Sequence, residues 1–115
     1  MFALNFYSEV YGELIRTGRK TATIRLGDKS GKYQSGQIIW ITLGRRFGTR
    51  LRLFSAIIDA VSVKRAGELS PREIEKENPE MRTVEDVLIF LERIYGHPVT
   101  ELDTVTVIHF SPVRE

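Results

Sequence analysis

Apolar and polar positions along this chain change rhythm several times, and each change marks an element. Residues 2–6 end in an apolar–polar–apolar alternation, Leu4-Asn5-Phe6, and predict a short strand. Ser8 is placed to cap a helix to about residue 17, with Val10, Leu14 and Ile15 on its buried side. Gly18 stands where a helix C-terminus favours a left-handed residue. Residues 22–26 read as a second strand. Residues 27–36 are polar and glycine-containing, with Asp28 and Ser30, and predict a loop. Residues 37–43, with Ile38, Ile39, Trp40 and Ile41, predict a third strand. A turn over 44–49 follows, and then a long β-rich run over 51–63 that is expected to bend midway.

The second part of the chain carries helix signals. Ser70-Pro71-Arg72-Glu73 forms a capping box with proline at the first helical position. Leu69 before the cap and Ile74 after it can close a hydrophobic staple. This helix must stop near Asn78, because Pro79 pushes the preceding residue out of the helical region. Thr83 caps another helix with Asp86 three residues on. Val84, Val87, Leu88, Leu91 and Ile94 then keep helical spacing up to Gly96. Residues 103–110 predict a final strand. The order is β-α-β-β-β-α-α-β, without the βαβ repeat of a doubly wound sheet. The expected fold class is α+β, a small, mostly antiparallel β-barrel with helices packed beside it, one domain over residues 1–115.

Composition narrows the chemistry. The chain has 115 residues, no cysteine and two histidines, His97 and His109, which lack metal-ligand spacing. No apolar run approaches the ~18 residues of a membrane span, and no secretory leader pattern opens the sequence. A cytoplasmic protein without a metal or cofactor is the expectation. No phosphate loop or dinucleotide fingerprint is present. The net charge of +2 hides a polarity: residues 1–65 hold 12 Lys or Arg against 4 Asp or Glu, and residues 66–115 hold 5 against 11. Such a division fits a basic binding face on the first part, or two parts that neutralise each other where they pack.

Two segments could carry chemistry. Residues 18–25 are Gly-Arg-Lys-Thr-Ala-Thr-Ile-Arg. On a strand, Thr21, Thr23 and Arg25 share one face, while Ala22, Ile24 and Leu26 point into the core. Lys20 and Thr23 converge only where the chain turns between them, as the helix-to-strand junction permits. The segment reads as one wall of a basic pocket, or as a solvated basic loop ahead of an ordinary strand. The second segment is Glu75-Lys76-Glu77-Asn78. The staple turns Ile74 inward, so Glu77 and Asn78 lean toward the body of the protein and Glu75 and Lys76 toward solvent. An inward carboxylate needs a partner, because burying an unpaired ion costs several kcal/mol or more. A salt bridge between helix and barrel would satisfy Glu77 as well as a catalytic role would.

The octapeptide Gly18-Arg19-Lys20-Thr21-Ala22-Thr23-Ile24-Arg25 resembles the signature Gly-x-Lys-x-x-(Glu/Thr)-x-Arg of the ASCH domain, a PUA-like β-barrel. The polar loop after it, Ser35-Gly36-Gln37 leading into a strand, and the later Glu-x-Glu-Asn are similar to the small bacterial ASCH proteins that hydrolyse N4-acetylcytidine. The resemblance implies a catalytic set of Lys20, Thr23 and Glu77, with Arg19 and Arg25 binding substrate. A threonine hydroxyl needs a base, and a lysine serves as base only when its pKa falls. The partner implied is a nucleoside or RNA.

One stretch departs from that pattern. Residues 44–52 carry Arg45, Arg46, Arg50 and Arg52 in nine positions. Arg50 and Arg52 share a strand face that could follow a phosphate backbone, with Phe47 available for stacking. A solvated hairpin whose arginines keep an edge soluble explains them equally. Tyr33 and Trp40 are further candidates for stacking, Trp40 also being suited to the core. The functions in view are an amidohydrolase, a non-catalytic RNA-binding module, and a metal-independent ribonuclease.

Overall fold

A computed structural model of the chain describes residues 2–44 and 48–113, with the side chains of residues 8–10 outside the description. Its elements are β1 (Ala3–Phe6), α1 (Ser8–Arg16), β2 (Ala22–Leu26), β3 (Ile38–Gly44), β4 (Arg50–Arg65), α2 (Pro71–Glu77), α3 (Val84–Tyr95) and β5 (Thr104–Pro112). The order is the expected one, with a short 3₁₀ turn, Ala66–Glu68, added after β4. The strands form one curled sheet in the order β1-β3-β4-β5-β2, a half-barrel flanked by the helices. Neighbours are antiparallel except β1 and β3, where Leu4 lies beside Ile41 in a parallel pair.

The caps follow from local chemistry. Ser70 Oγ accepts from the Glu73 N–H while the Glu73 carboxylate accepts from the Ser70 N–H. Thr83 and Asp86 repeat the arrangement ahead of α3. Gly18 and Gly96 have φ of 74° and 75°, a left-handed backbone that L side chains rarely adopt. At the start of α1 the cap position falls on Tyr7, and Ser8 is the first helical residue, so the helix begins one position earlier than the sequence pattern suggests. Val10 of that expected stripe lies outside the described side chains.

The long fourth strand bends where the register slips. The pairing with β3 steps over Leu53, and the pairing with β5 steps over Asp59. An extra residue on one strand sharpens the local twist, which lets a 16-residue strand serve both halves of the curl. The core has two parts. Leu4, Phe6, Tyr11, Ile15, Ile39, Ile41 and Ile58 fill the space between the sheet and α1. Ile24, Leu69, Ile74, Val87, Leu91 and Val107 fill the space under α2 and α3. Phe90 packs against both. Tyr33, a stacking candidate from the sequence, belongs to the first cluster instead: it is buried and its hydroxyl donates to Ala3 O at 2.9 Å.

The half-barrel leaves β1 and β2 as its two ends, and side chains finish both. The Ala22 carbonyl accepts from Lys20 Nζ at 2.7 Å. The Ile24 N–H donates to Glu77 Oε2 at 2.7 Å, and the Leu26 N–H to Tyr95 Oη at 3.3 Å. On β1, Ala3 O takes the Tyr33 hydroxyl and Asn5 O takes Arg25 Nη2 at 3.2 Å. Sheet edges left bare would be exposed to pairing with another chain.

Candidate functional site

The seam between these two ends holds a cavity of about 220 Å³. Asn5 and Phe6 come from one edge, and Thr23, Ile24 and Arg25 from the other. Tyr7 and Tyr11 close it on the α1 side, Glu77 comes from the end of α2, and α3 supplies Phe90, Leu91, Ile94 and Tyr95. Arg50 stands at the start of β4 on the same lining. Sites for drug-sized molecules run to about 300–1,000 Å³, so this one suits a single ring system. Its walls are largely aromatic, and they also carry the Arg25 and Arg50 guanidinium groups and the Glu77 carboxylate.

Glu77 is the centre of the polar network. It is 2% exposed, on the inward face of α2 where the staple of Leu69 and Ile74 places it, while Glu75 is exposed. Its Oε2 meets Lys20 Nζ at 2.8 Å and accepts the Ile24 N–H. Its Oε1 accepts a short hydrogen bond from the Tyr11 hydroxyl. Lys20, also 2% exposed, has a second bond to Glu77 O at 2.8 Å besides the one to Ala22 O. Its ammonium sits 4.2 Å from the Tyr11 ring centroid and 5.1 Å from that of Phe6. Burial pushes the Lys20 pKa down to about 8, against the upward pull of the Glu77 carboxylate. Burial, and then the same carboxylate, pushes the Tyr11 phenol far above its ordinary range.

Thr23 is buried, although it shares a strand face with Thr21 and Arg25. Both faces of β2 are covered here, so alternation alone does not separate core from pocket. Thr23 Oγ1 accepts from Arg25 Nε at 2.9 Å. The Arg25 guanidinium then continues to Asn5 O and lies 5.1 Å from the Phe6 ring, bridging the seam from β2 to β1. Thr23 and Glu77 thus line one cavity, and Lys20 joins Glu77 from behind that wall; Lys20 itself is not among the lining residues.

The remaining candidates are more scattered. Arg19 is exposed and off the cavity lining. Arg50 is exposed at the mouth, and Arg52, also exposed, holds its guanidinium 4.5 Å from the ring of half-buried Trp40. Arg45, Arg46 and Phe47 lie outside the described residues. Tyr11 is the member of the network that the sequence pattern does not single out, since on α1 it reads only as an apolar position. Among the described residues no group of His, Cys, Asp or Glu is arranged to hold a metal ion, and no helix is long and apolar enough to cross a membrane.

No protein-family profile matches the sequence, and no curated protein matches it either. Solved structures do match. The ASCH domain from Lactobacillus crispatus JV V101 superposes with a TM-score of 0.65 at 19% identity, over 96% of this chain and 77% of that one. Hypothetical protein PH0355 gives 0.67 at 21%, over 97% and 98%. Protein EF3133 from Enterococcus faecalis V583 gives 0.65 at 20%, over 89% and 66%. The chain therefore has the fold of an ASCH domain, as the octapeptide and the order of elements imply.

Proposed function

We propose that the seam cavity binds one nucleobase-sized ring bearing an acyl amide, and that Lys20, Thr23 and Glu77 hydrolyse that amide, with N4-acetylcytidine as the substrate to which the ASCH-like signature points. One observation carries the reading. A hydroxyl and a carboxylate share a cavity wall, and a buried lysine with a lowered pKa meets the carboxylate at 2.8 Å.

In this reading the Thr23 hydroxyl attacks the acetyl carbonyl and its proton passes to the Lys20–Glu77 pair. The C–N bond then breaks, the proton returns to the departing N4 nitrogen, and cytidine leaves an acetylated threonine. Water hydrolyses that ester to acetate and restores the hydroxyl. Lys20 has a share of neutral amine near pH 7–8, so the pair can both take and give a proton. Arg25 Nε, already on Thr23 Oγ1, is a donor beside the place where negative charge would develop. Aromatic walls from Phe6, Tyr7 and Phe90 suit a planar ring, and Arg50 at the mouth suits a phosphate or sugar oxygen.

A binding-only reading rests on a different observation. Lys20 gives its hydrogens to Ala22 O, Glu77 O and Glu77 Oε2, which is what finishing the edge of β2 requires. In that case the cavity would hold a base of an RNA strand, with Arg50 and Arg52 along its backbone.

The test is release of cytidine from N4-acetylcytidine by the purified protein. Thr23→Ala is expected to abolish it while leaving nucleoside binding measurable. Turnover by the wild type no faster than a heat-killed control refutes the hydrolase; full activity in Thr23→Ala removes threonine as the nucleophile.

A further inference from the structure

We propose that Tyr11 is a positioning residue of this site, whose hydroxyl fixes one oxygen of Glu77 while its ring face receives the Lys20 ammonium, so that the carboxylate is held in one orientation against its partner. The kinetic part of the inference rests on the amide-hydrolysis reading; the electrostatic part does not.

The two carboxylate oxygens divide their partners. Oε2 is taken by Lys20 Nζ and the Ile24 N–H, both of which belong to the β2 edge. Oε1 receives the Tyr11 hydroxyl from α1. Tyr11 thus decides whether the second oxygen is available to a proton. A donor to a carboxylate favours its charged form, and removing the donor lets it bind a proton more readily. The ring acts on the other partner: at 4.2 Å, a desolvated ammonium is drawn to the π face. One side chain therefore touches both charges of the buried pair.

Tyr11 is itself held firmly. It is 3% exposed, and edge-to-face contacts with Phe6 at 5.8 Å and Phe90 at 5.9 Å fix the ring between the two parts of the core. Its phenol remains protonated across ordinary pH, so it acts as a donor to Glu77. Among the described residues, the other charged or titratable groups paired with Glu77 or lining the same cavity are Lys20, Tyr7 ahead of α1, Arg25 on β2, Arg50 on β4 and Tyr95 on α3.

Tyr11→Phe keeps the ring, its packing and its face toward Lys20, and deletes only the hydroxyl. Two measurements test it together. In the hydrolase assay kcat is expected to fall about tenfold, with KM within about twofold and the acidic limb of the pH–rate profile moved to higher pH. In thermal unfolding, the Tm gap between wild type and Tyr11→Phe is expected to be widest at neutral pH and to narrow as pH falls and carboxylates protonate. An unchanged pH profile together with a Tm gap that ignores pH would make Tyr11 a packing residue and overturn the inference. If the wild type hydrolyses no amide, the hydrolase reading fails by itself, and the pH dependence of the Tm gap still decides whether Tyr11 acts on Glu77.

Discussion

Replacing Glu77 by glutamine isolates the charge of the buried pair, because the new side chain keeps the shape of the old one. The amide oxygen can still accept from Lys20 and the Ile24 N–H, and the amide nitrogen can turn to the Tyr11 hydroxyl, which accepts. What is lost is the countercharge of Lys20. At pH 7, below its folded pKa of about 8, the wild-type lysine gains the folded state about 1 kcal/mol by holding its proton. Turning the Ile24 and Tyr11 bonds from charge-assisted to neutral removes about 1 kcal/mol each. The sum, about 3 kcal/mol, agrees with the usual cost of breaking a buried ion pair. The lysine part depends on pH. At pH 9 the wild-type lysine is itself mostly neutral, so the destabilisation should shrink by roughly 1 kcal/mol. Urea unfolding followed by the fluorescence of Trp40, the chain's one tryptophan, measures both values. A loss below about 1 kcal/mol at pH 7, or an equal loss at both pH values, would refute the reasoning. The wild type supplies a companion result. Its folded lysine titrates near 8 and the free side chain at 10.5, so the unfolded chain binds more protons in between and this group's contribution to stability rises with pH across that window. Tyr11, raised in the folded state, acts in the opposite sense, and its contribution is lost as pH climbs above 10.

Two further outcomes are expected. Ser70→Ala removes the side-chain acceptor of the Glu73 N–H and should cost about 1 kcal/mol in urea unfolding; a loss under a few tenths would mean that α2 does not depend on its cap. On the binding-only reading, Arg50→Ala with Arg52→Ala should weaken binding of a short single-stranded RNA and flatten its salt dependence by roughly 1.4 in log–log slope; an unchanged slope would remove β4 as the contact.

The order of elements was legible because each boundary has its own local chemistry. Ser70 with Glu73, Thr83 with Asp86, and the glycines at 18 and 96 act within a few residues and leave their mark there. The inward turn of Glu77 was legible for the same reason, since it follows from Ile74 on the same helix. Its partner was not, because Lys20 lies 57 positions away and meets Glu77 through the way α2 lies along β2. Thr23 misleads in the opposite direction. Period-two alternation assigns one covered face to a strand, and β2 has cover on both. Tyr33 sits in a polar loop and still reaches the core, where its ring joins the first cluster and its hydroxyl donates to the Ala3 carbonyl. Arg19 and Arg25 look equivalent as basic residues flanking one motif. Only the second reaches across to Asn5, a contact set by the curl of the sheet rather than by anything near residue 25.

The unclosed seam has a consequence for how this protein can change. In a fully closed barrel, backbone pairing would hold the two ends together, and the side chains of a pocket could vary without loosening the fold. Here Lys20, Glu77, Arg25 and Tyr95 stand in for the missing strand pairing and are also next to, or part of, the cavity wall. Substitutions that reshape the cavity therefore act on the sheet's margins as well. A descendant that replaces these side chains must find another way to seal those margins, so the motif can be kept for the sake of the fold alone.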